Sequence, residues 1–324
     1  MRNNSFEISV ILPVYNGSRY LKESIYSVLQ QDLNNFEFIV CDDCSTDDSL
    51  AIIKKISYEN PGKIIILENE VNKGLFGTLN ILIEKSSTNL IHLWSQDDIM
   101  KPDCLTNCKL FHNRYPFISM SYHGVEYIDN DSKQIKDIKN DGTPEIISSH
   151  LYANISIRWG CIPGNISNVT LNRFFLKKTG IFNDKMIVSG DFDLWTRLAS
   201  ISSIGKNNST LIYLRIHQEQ LSRSFKSIYL RVKEDIPIHS QIITMLSEND
   251  QIKALRWWNW KTQVSYYNDY IFLKRKGLPL EAKKLHNLLQ QNFNLYSLFI
   301  KWLIIRILRL IKLEIGFYKK ILNR

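Results

Sequence analysis

The chain has 324 residues and a mass of 38.0 kDa, which suits one α/β domain of about 200–250 residues with an appendage, or two domains. Hydrophobic residues make up 44% and charged residues 23% of the sequence, ordinary globular values that exclude a wholly disordered chain. The formal net charge is +9.

The N-terminal sequence predicts neither export nor membrane insertion. The apolar run before Pro13 is only about six residues long, too short for a secretion signal. No stretch reaches about 18 uncharged apolar residues, so we expect no transmembrane helix. Five cysteines, an odd number without an export signal, indicate reduced thiols in a cytoplasmic protein.

The first third of the chain alternates strand and helix patterns. Apolar runs predict strands at 8–15, 36–41, 63–67 and 90–94, and apolar residues at helical spacing predict helices at 19–31, 46–56 (with Ser45 as N-cap) and 77–85. This order predicts an α/β fold with a doubly wound, mostly parallel sheet. Such sheets bind ligands at the carboxyl ends of their strands. Further strand patterns lie at 118–128 and 169–171.

After Ser224 the sequence changes to long helical stretches rich in aromatic residues. We therefore predict an α/β domain at 1–224 and a helical C-terminal region at 225–324.

The last thirty residues are strongly basic, with seven Lys or Arg against one acid, Glu314. On a helix over about 295–322 the basic side chains fall within about 140° of arc, and apolar residues cover much of the rest. This pattern predicts a helix lying on an anionic membrane surface. The alternative is a terminal helix packed on the protein's own core. Nucleic acid is not expected as a partner, because the rest of the chain carries little net charge.

Acidic residues follow two of the predicted buried strands: Asp42 and Asp43 end one, and Asp97 and Asp98 end another. Carboxylates at neighbouring strand ends are hard oxygen ligands for Mg²⁺ or Mn²⁺, and these ions in turn suit a diphosphate. The alternative is that such acids cap helices and loops. The same alternative applies to Asp191, which precedes a helical pattern.

Two other kinds of site have little support. Cys41-x-x-Cys44 and Cys104-x-x-x-Cys108 could offer zinc thiolates, but neither pair lies in a small, loop-rich module, so no zinc site is expected. The loop after the first strand matches neither G-x-G-x-x-G nor G-x-x-x-x-G-K-[ST], which disfavours dinucleotide redox chemistry and P-loop phosphoryl transfer.

Six motifs in order resemble glycosyltransferase family 2, the inverting sugar transferases of GT-A fold. They are Val10-Ile-Leu-Pro-Val-Tyr-Asn16, Val40-Cys-Asp-Asp-Cys-Ser-Thr-Asp47, Asn72-Lys-Gly74 with Asn80, Gln96-Asp-Asp98 with Pro102, Gly190-Asp-Phe-Asp-Leu-Trp-Thr-Arg197 and Arg215-Ile-His217. They span roughly residues 7–222, and six weak motifs in family order are together specific.

The resemblance implies a role for each matching residue. Asp191 would be the general base that deprotonates the acceptor hydroxyl. Mn²⁺ or Mg²⁺ would be held by Asp97, Asp98 and His217. The nucleotide-sugar would be bound by Pro13, Val14, Tyr15, Asn16, Asp42, Asp43, Asn72, Gly74, Asn80, Gln96 and Asp97.

Three positions depart from the family pattern. Ser95 stands where the first Asp of the metal-binding string is usual, Gly190 where a Glu commonly precedes the base, and Leu79 where an Arg is usual before Asn80. We interpret them as variation within the family.

The expected function is transfer of a sugar from a nucleotide-sugar, expected to be a UDP-sugar, to a hydroxyl of a lipid-linked saccharide in surface polysaccharide biosynthesis. The enzyme would be peripheral on the cytoplasmic face of the membrane. One alternative is a non-catalytic nucleotide-sugar-binding protein whose site has decayed. A sugar-nucleotide pyrophosphorylase is the other, although Asn16-Gly17-Ser18-Arg19 is a poor match to the Gly-rich, basic loop it needs.

Overall fold

The computed structural model describes residues 6–136, 142–217 and 225–323. The chain forms two units, one made of Met1–Ser149 with Cys161–Gln218 and the other of His150–Gly160 with Glu219–Arg324. The domain boundary predicted at Ser224 lies outside the described residues, as does Arg324 at the end of the basic tail.

One mixed sheet of ten strands, counted over the described residues, forms the core of the first unit. The strands are β1 (Ile8–Val14), β2 (Phe36–Asp42), β3 (Ile65–Glu68), β4 (Leu90–Leu93), β5 (Ile99–Met100), β6 (Met120–Ile128), β7 (Gln134–Lys136), β8 (Ile146–Ile147), β9 (Val169–Asn172) and β10 (Ile204–Arg215). Their order is β3-β2-β1-β4-β9-β6-β10-β5, with β7 beside β6 and β8 beside β10.

Strands β3, β2, β1 and β4 are mutually parallel, which confirms the predicted doubly wound α/β class. Strand β9 then runs antiparallel to both of its neighbours, β4 and β6. All seven residues of β1 are buried, as expected of a strand covered on both faces.

Helices of the first unit cover this sheet. They are α1 (Ser18–Leu29), α2 (Ser49–Glu59), α3 (Gly74–Lys85), α4 (Cys104–Arg114), α6 (Arg173–Thr179) and α7 (Gly190–Ile201). Helix α2 begins three residues later than predicted, and its N-cap is Asp48. Ser45 is not the cap, because its hydroxyl instead accepts a hydrogen bond from the backbone N–H of Asn16 at 3.1 Å. The residues between β2 and α2 therefore bind the loop that follows β1.

The second unit is helical. It holds α5 (Ser149–Trp159) from His150 onward, α8 (Ile228–Thr244), α9 (Glu248–Trp257), α10 (Gln263–Arg275), α11 (Pro279–Asn292), α12 (Leu295–Leu310) and α13 (Glu314–Asn323), with a π-helical segment at Trp258–Thr262 and a 3-10 turn at Phe225–Ser227. Over the described ranges, no helix combines the length and the apolar character that crossing a bilayer requires.

Candidate active site

The carboxyl ends of β1 and β2 lie side by side, with Val14 opposite Asp42 in the parallel register. Pro13 and Val14 are buried, whereas Tyr15 and Asn16 are exposed just beyond the strand. Asn16 has a left-handed backbone with φ of 48°, and its side-chain oxygen accepts the backbone N–H of Thr46 at 2.8 Å. The structure thus brings the predicted nucleotide-binding residues of both strands to one edge of the sheet.

Asp42 and Asp43 have different surroundings, although both are buried. Asp43 accepts the backbone N–H groups of Lys73 at 2.8 Å and Gly74 at 2.9 Å, so it fixes the start of α3. Asp42 Oδ2 accepts the backbone N–H of Ser45 at 3.0 Å. Asp42 Oδ1 is buried and has no hydrogen-bond partner among the described residues. An N–H group of a ligand could satisfy this oxygen.

Three other residues predicted to bind the nucleotide-sugar help to fix the local structure of the protein. Asn72 donates to the backbone oxygen of Asp43 at 3.2 Å, and Gly74 has a φ of +72°, a conformation that favours glycine. Asn80 exchanges two hydrogen bonds with the backbone of Phe182, at 2.9 and 3.0 Å. That these three residues contact the nucleotide-sugar stays a prediction.

Gln96 joins the segment after β4 to the end of β1. Its Oε1 accepts the backbone N–H of Tyr15 at 2.9 Å, and its Nε2 donates to the backbone oxygen of Tyr15 at 3.2 Å. The amide lies against Gly17, where a Cβ atom would overlap it. A side chain at position 17 would therefore displace Gln96.

Asp98 is buried, and both of its carboxylate oxygens accept hydrogen bonds from the protein. Its Oδ2 accepts the hydroxyl of Ser167 at 2.5 Å, and its Oδ1 accepts the backbone N–H of Arg215 at 2.9 Å. Burial raises the pKa of Asp98 to about 7. These are the contacts of a residue that holds β10 against the segment after β4.

Asp97 and His217, both predicted to hold a divalent cation, lie side by side. His217 is buried, and neither of its ring nitrogens makes a hydrogen bond with a described residue. Its Nε2 lies 3.3 Å from Asp97 Oδ2. Carboxylate and phosphate oxygens suit Mn²⁺ or Mg²⁺, so the phosphates of a bound nucleotide would complete a set of metal ligands that Asp97 and His217 begin.

Arg215 positions this pair, a role that its place in the sequence motif did not reveal. Its guanidinium is fully buried and donates to the backbone oxygen of Asp97 at 2.9 Å and to Glu23 Oε2 at 2.6 Å. It also stacks on the ring of Tyr20, 4.4 Å from the centroid. Sequence reasoning missed Glu23 and Tyr20, because on α1 they look like ordinary helix-surface residues.

Asp191 lies in the first turn of α7 and is half-buried. The Cys161 thiol lies 3.9 Å from its Oδ2, in hydrogen-bonding orientation. Ser167, which binds Asp98, belongs to the same loop, 161–168. One short loop therefore contacts both the predicted base and the acid that follows Asp97.

Steric crowding explains why position 190 is a glycine. A Cβ atom at this position would lie 2.7 Å from the ring of Phe76, which is buried and stacks on Phe182 at a centroid distance of 5.3 Å. The Glu that commonly occupies this family position would not fit beside Phe76.

The family model described as Glycosyl transferase family 2 matches residues 9–167. A Rickettsia prowazekii protein, described as an uncharacterized glycosyltransferase, is 30% identical over 283 residues, covering 86% of this chain and 83% of the relative. WfgD of Escherichia coli, named a UDP-Glc:alpha-D-GlcNAc-diphosphoundecaprenol beta-1,3-glucosyltransferase, is 29% identical over 224 residues, or 68% of this chain and 81% of the relative. The chain spans about two fifths of the length of other relatives, such as 39% of a glycosyltransferase of Rickettsia conorii that is 30% identical over 247 residues.

Solved structures share the fold at low sequence identity. The complex of S. aureus TarS 1-349 with UDP-GlcNAc has a TM-score of 0.60 at 16% identity and covers 88% of this chain and 92% of that one. The mannosyltransferase PcManGT from Pyrobaculum calidifontis, in complex with GDP-Man and Mn²⁺, has a TM-score of 0.57 at 13% identity, with coverage of 91% and 78%. Together with the sheet order and the motif residues gathered at its edge, these matches show that the chain has a GT-A fold and belongs to glycosyltransferase family 2.

Proposed function

We propose that this enzyme is a metal-dependent, inverting glycosyltransferase that moves a sugar from a UDP-sugar to a hydroxyl of a lipid-linked saccharide. One observation carries the proposal: loop 161–168 contacts both Asp98 and Asp191. These contacts support a shared site for the sugar donor and the catalytic base. The substrates named for WfgD and the UDP complexes of TarS support a UDP-sugar donor, and the name of WfgD supports the acceptor class.

Each group in the site has a distinct task. Asp42 Oδ1, which is buried without a partner among the described residues, accepts an N–H of the nucleotide base. Asp97 and His217 would hold the divalent cation, which when bound would neutralise charge on the departing diphosphate. Asp98 was predicted to be a third ligand, but both of its oxygens accept hydrogen bonds from the protein, so we assign it, with Arg215, to positioning that pair. Asp191 takes the proton of the acceptor hydroxyl while the hydroxyl oxygen attacks the anomeric carbon, and the bond from that carbon to the phosphate oxygen breaks.

The test is release of UDP from a panel of UDP-sugars by the purified full chain, with Mn²⁺ and a membrane extract as acceptor. Asp191→Asn should lower turnover about 10²–10⁴-fold while UDP binding is kept. Asp193→Asn is the matched control, because Asp193 lies on the same turn but pairs with Arg197, whose Nη2 is 2.8 Å away. Full turnover by Asp191→Asn would refute the base assignment, and UDP binding without turnover on any acceptor would favour the non-catalytic alternative.

We also infer that the enzyme docks on the anionic, cytoplasmic face of the membrane through α12 and the residues after it. Helix α12 packs on its own unit through Leu298 and Ile305, which are buried. The opposite side carries a stripe of exposed apolar residues: Leu303 is 41%, Ile307 49% and Leu310 83% exposed. The buried face of this helix fits packing on the protein's own unit, and the exposed apolar stripe supports the proposed docking on a membrane.

Basic side chains accompany this stripe. Arg306, Arg309, Lys312 and Lys319 are exposed, although Arg309 is paired with Glu314 at 2.7 Å. A basic residue near an anionic surface contributes about 1 kcal/mol of binding free energy, and burial of each Leu or Ile contributes about 1.5–3 kcal/mol. Burial of apolar side chains and attraction between opposite charges therefore both favour binding to an anionic membrane.

Flotation of the full chain with phosphatidylglycerol vesicles and with neutral phosphatidylcholine vesicles tests this docking. The double substitution Ile307→Ser with Leu310→Ser should weaken binding to the anionic vesicles by about 3 kcal/mol, or on the order of 100-fold. Leu280→Ser is the matched control, since Leu280 is 70% exposed on α11 of the same unit. Equal flotation of the double variant and the wild type would refute docking through this stripe. Point substitutions are preferable to truncation, which would remove the buried Leu298 and Ile305.

A further inference from the structure

A cluster of histidines and cysteines lies beneath the sheet, away from the groups assigned above. His92 comes from β4, Cys104 and Cys108 from α4, and His123 from β6. All four side chains are at most 2% exposed. We call them the Cys/His cluster.

Three of the side chains face one another, and Cys104 lies beside two of them, Cys108 and His123. One ligand atom from each of His92, Cys108 and His123 lies within 4.8 Å of the others. Cys108 Sγ is 4.0 Å from His92 Nδ1, and Cys104 Sγ is 3.7 Å from His123 Nε2. In a tetrahedral zinc site with Zn–S of about 2.3 Å and Zn–N of about 2.0–2.1 Å, ligand atoms are about 3.3–3.8 Å apart. The contacts at 3.7 and 4.0 Å are close to this range.

The hydrogen bonds of the two histidines leave one nitrogen of each ring available to a metal ion. His92 Nε2 is buried and has no hydrogen-bond partner among the described residues, and His92 Nδ1 lies 2.9 Å from the hydroxyl of Thr170. His123 Nδ1 lies 3.0 Å from the backbone oxygen of Gly124 and donates to it, which leaves Nε2 as the acceptor facing Cys104. Metal-binding histidines are commonly oriented by such a bond from the other ring nitrogen.

We propose that His92, Cys104, Cys108 and His123 bind one Zn²⁺ ion. Two thiolates balance the charge of the ion, so the complete site is neutral and compatible with full burial, and binding releases the two thiol protons. Sulfur and imidazole ligands select zinc over Mn²⁺ or Mg²⁺, so this site is separate from the one at Asp97 and His217.

No zinc site was expected from the sequence, because neither cysteine pair lies in a small, loop-rich module. Cys41 and Cys44 belong to no cluster of three potential metal ligands in the part of the chain that the structure describes. The imidazoles instead come from strands distant in sequence. A metal here would tie β4 and β6 to α4, and thereby hold both ends of the segment that carries Asp97 and Asp98.

Cobalt spectroscopy on the full chain tests the proposal. Protein stripped with a chelator and kept reduced should bind one Co²⁺ per chain, with the visible bands of tetrahedral cobalt and a thiolate charge-transfer band in the near ultraviolet. Zn²⁺ should abolish both signals, and Mn²⁺ should leave them unchanged. Zn²⁺ should also raise the thermal midpoint of the stripped protein.

Cys108→Ser should weaken the charge-transfer band, because one thiolate remains, and the double substitution Cys104→Ser with Cys108→Ser should abolish it. Cys41→Ser, which changes a buried cysteine of β2 outside the cluster, should keep it. Absence of tetrahedral cobalt bands in the wild type overturns the proposal without reference to any variant, and so does a charge-transfer band that survives the substitution of both Cys104 and Cys108. UDP release in the presence of Mn²⁺ is measured separately, so failure of the zinc site and failure of the proposed transferase reaction are distinguishable.

Discussion

Replacing Arg215 with Met removes a buried cation while keeping most of the apolar volume beside Tyr20. The guanidinium donates to the backbone oxygens of Asp97 and Asp129, both at 2.9 Å, and such charged hydrogen bonds contribute about 1.5–3 kcal/mol each. Its partner Glu23 has a side chain that is 46% exposed, so water can solvate Glu23 in the variant and that ion pair contributes at most about 1 kcal/mol. We expect a loss of about 3–5 kcal/mol in the free energy of unfolding, most of it from the two charged hydrogen bonds to backbone oxygens.

The same substitution should weaken Mn²⁺-dependent binding of UDP at least tenfold, because it releases the backbone of Asp97 and the end of β10 that leads to His217. Urea unfolding measures the first effect and titration calorimetry the second. Arg197→Met is the matched control: Arg197 also donates to two backbone oxygens, those of Thr179 and Ile181, at 2.8 Å each. It should lose stability without losing Mn²⁺-dependent affinity. A folded Arg215→Met protein with unchanged affinity would refute the positioning role.

Three further predictions concern single contacts. Asp42→Asn should weaken UDP binding about 10–100-fold in calorimetry by removing a charged acceptor, whereas Asp43→Asn should mainly lower stability in urea unfolding. Gly190→Ala should cost about 1–3 kcal/mol in urea unfolding, and Phe76→Leu in the same chain should recover part of that loss. Burial lowers the pKa of His239 from 6.5 to about 4, so the unfolded chain takes up the proton first and stability falls as the pH drops below 6.5. The loss between pH 7 and pH 5 should be about 2 kcal/mol smaller in His239→Gln.

Groups that follow directly from local pattern were predictable. The apolar run of β1 and the acids after β2 and β4 located the sheet edge, because parallel strands end at a common edge. The helical spacing after Asp191 located α7, which begins at Gly190. Each of these inferences needs only neighbours in sequence.

Contacts between residues distant in sequence could not be predicted in this way. Glu23 and Arg215 form one ion pair across most of the first unit's sequence, and neither residue is unusual where it stands. The start of α2 was misplaced for the same reason, since the hydroxyl of Ser45 binds the backbone of Asn16. Helix α12 was predicted to be amphipathic, but its sequence could not distinguish the apolar residues that pack inward from those left exposed.

The departures at Leu79 and Gly190 are better explained as one linked replacement than as decay of the site. Position 79 lies one turn along α3 from Phe76, and the ring of Phe76 occupies the space beside Gly190. The family commonly has opposite charges at these two positions, and loss of one charge alone would leave the other buried without compensation, at a cost of about 3–5 kcal/mol. Loss of both, with apolar packing in their place, is often neutral in stability. Neither change removes an oxygen or nitrogen of Asp97, His217 or Asp191, so both are compatible with an enzyme that retains its transferase chemistry.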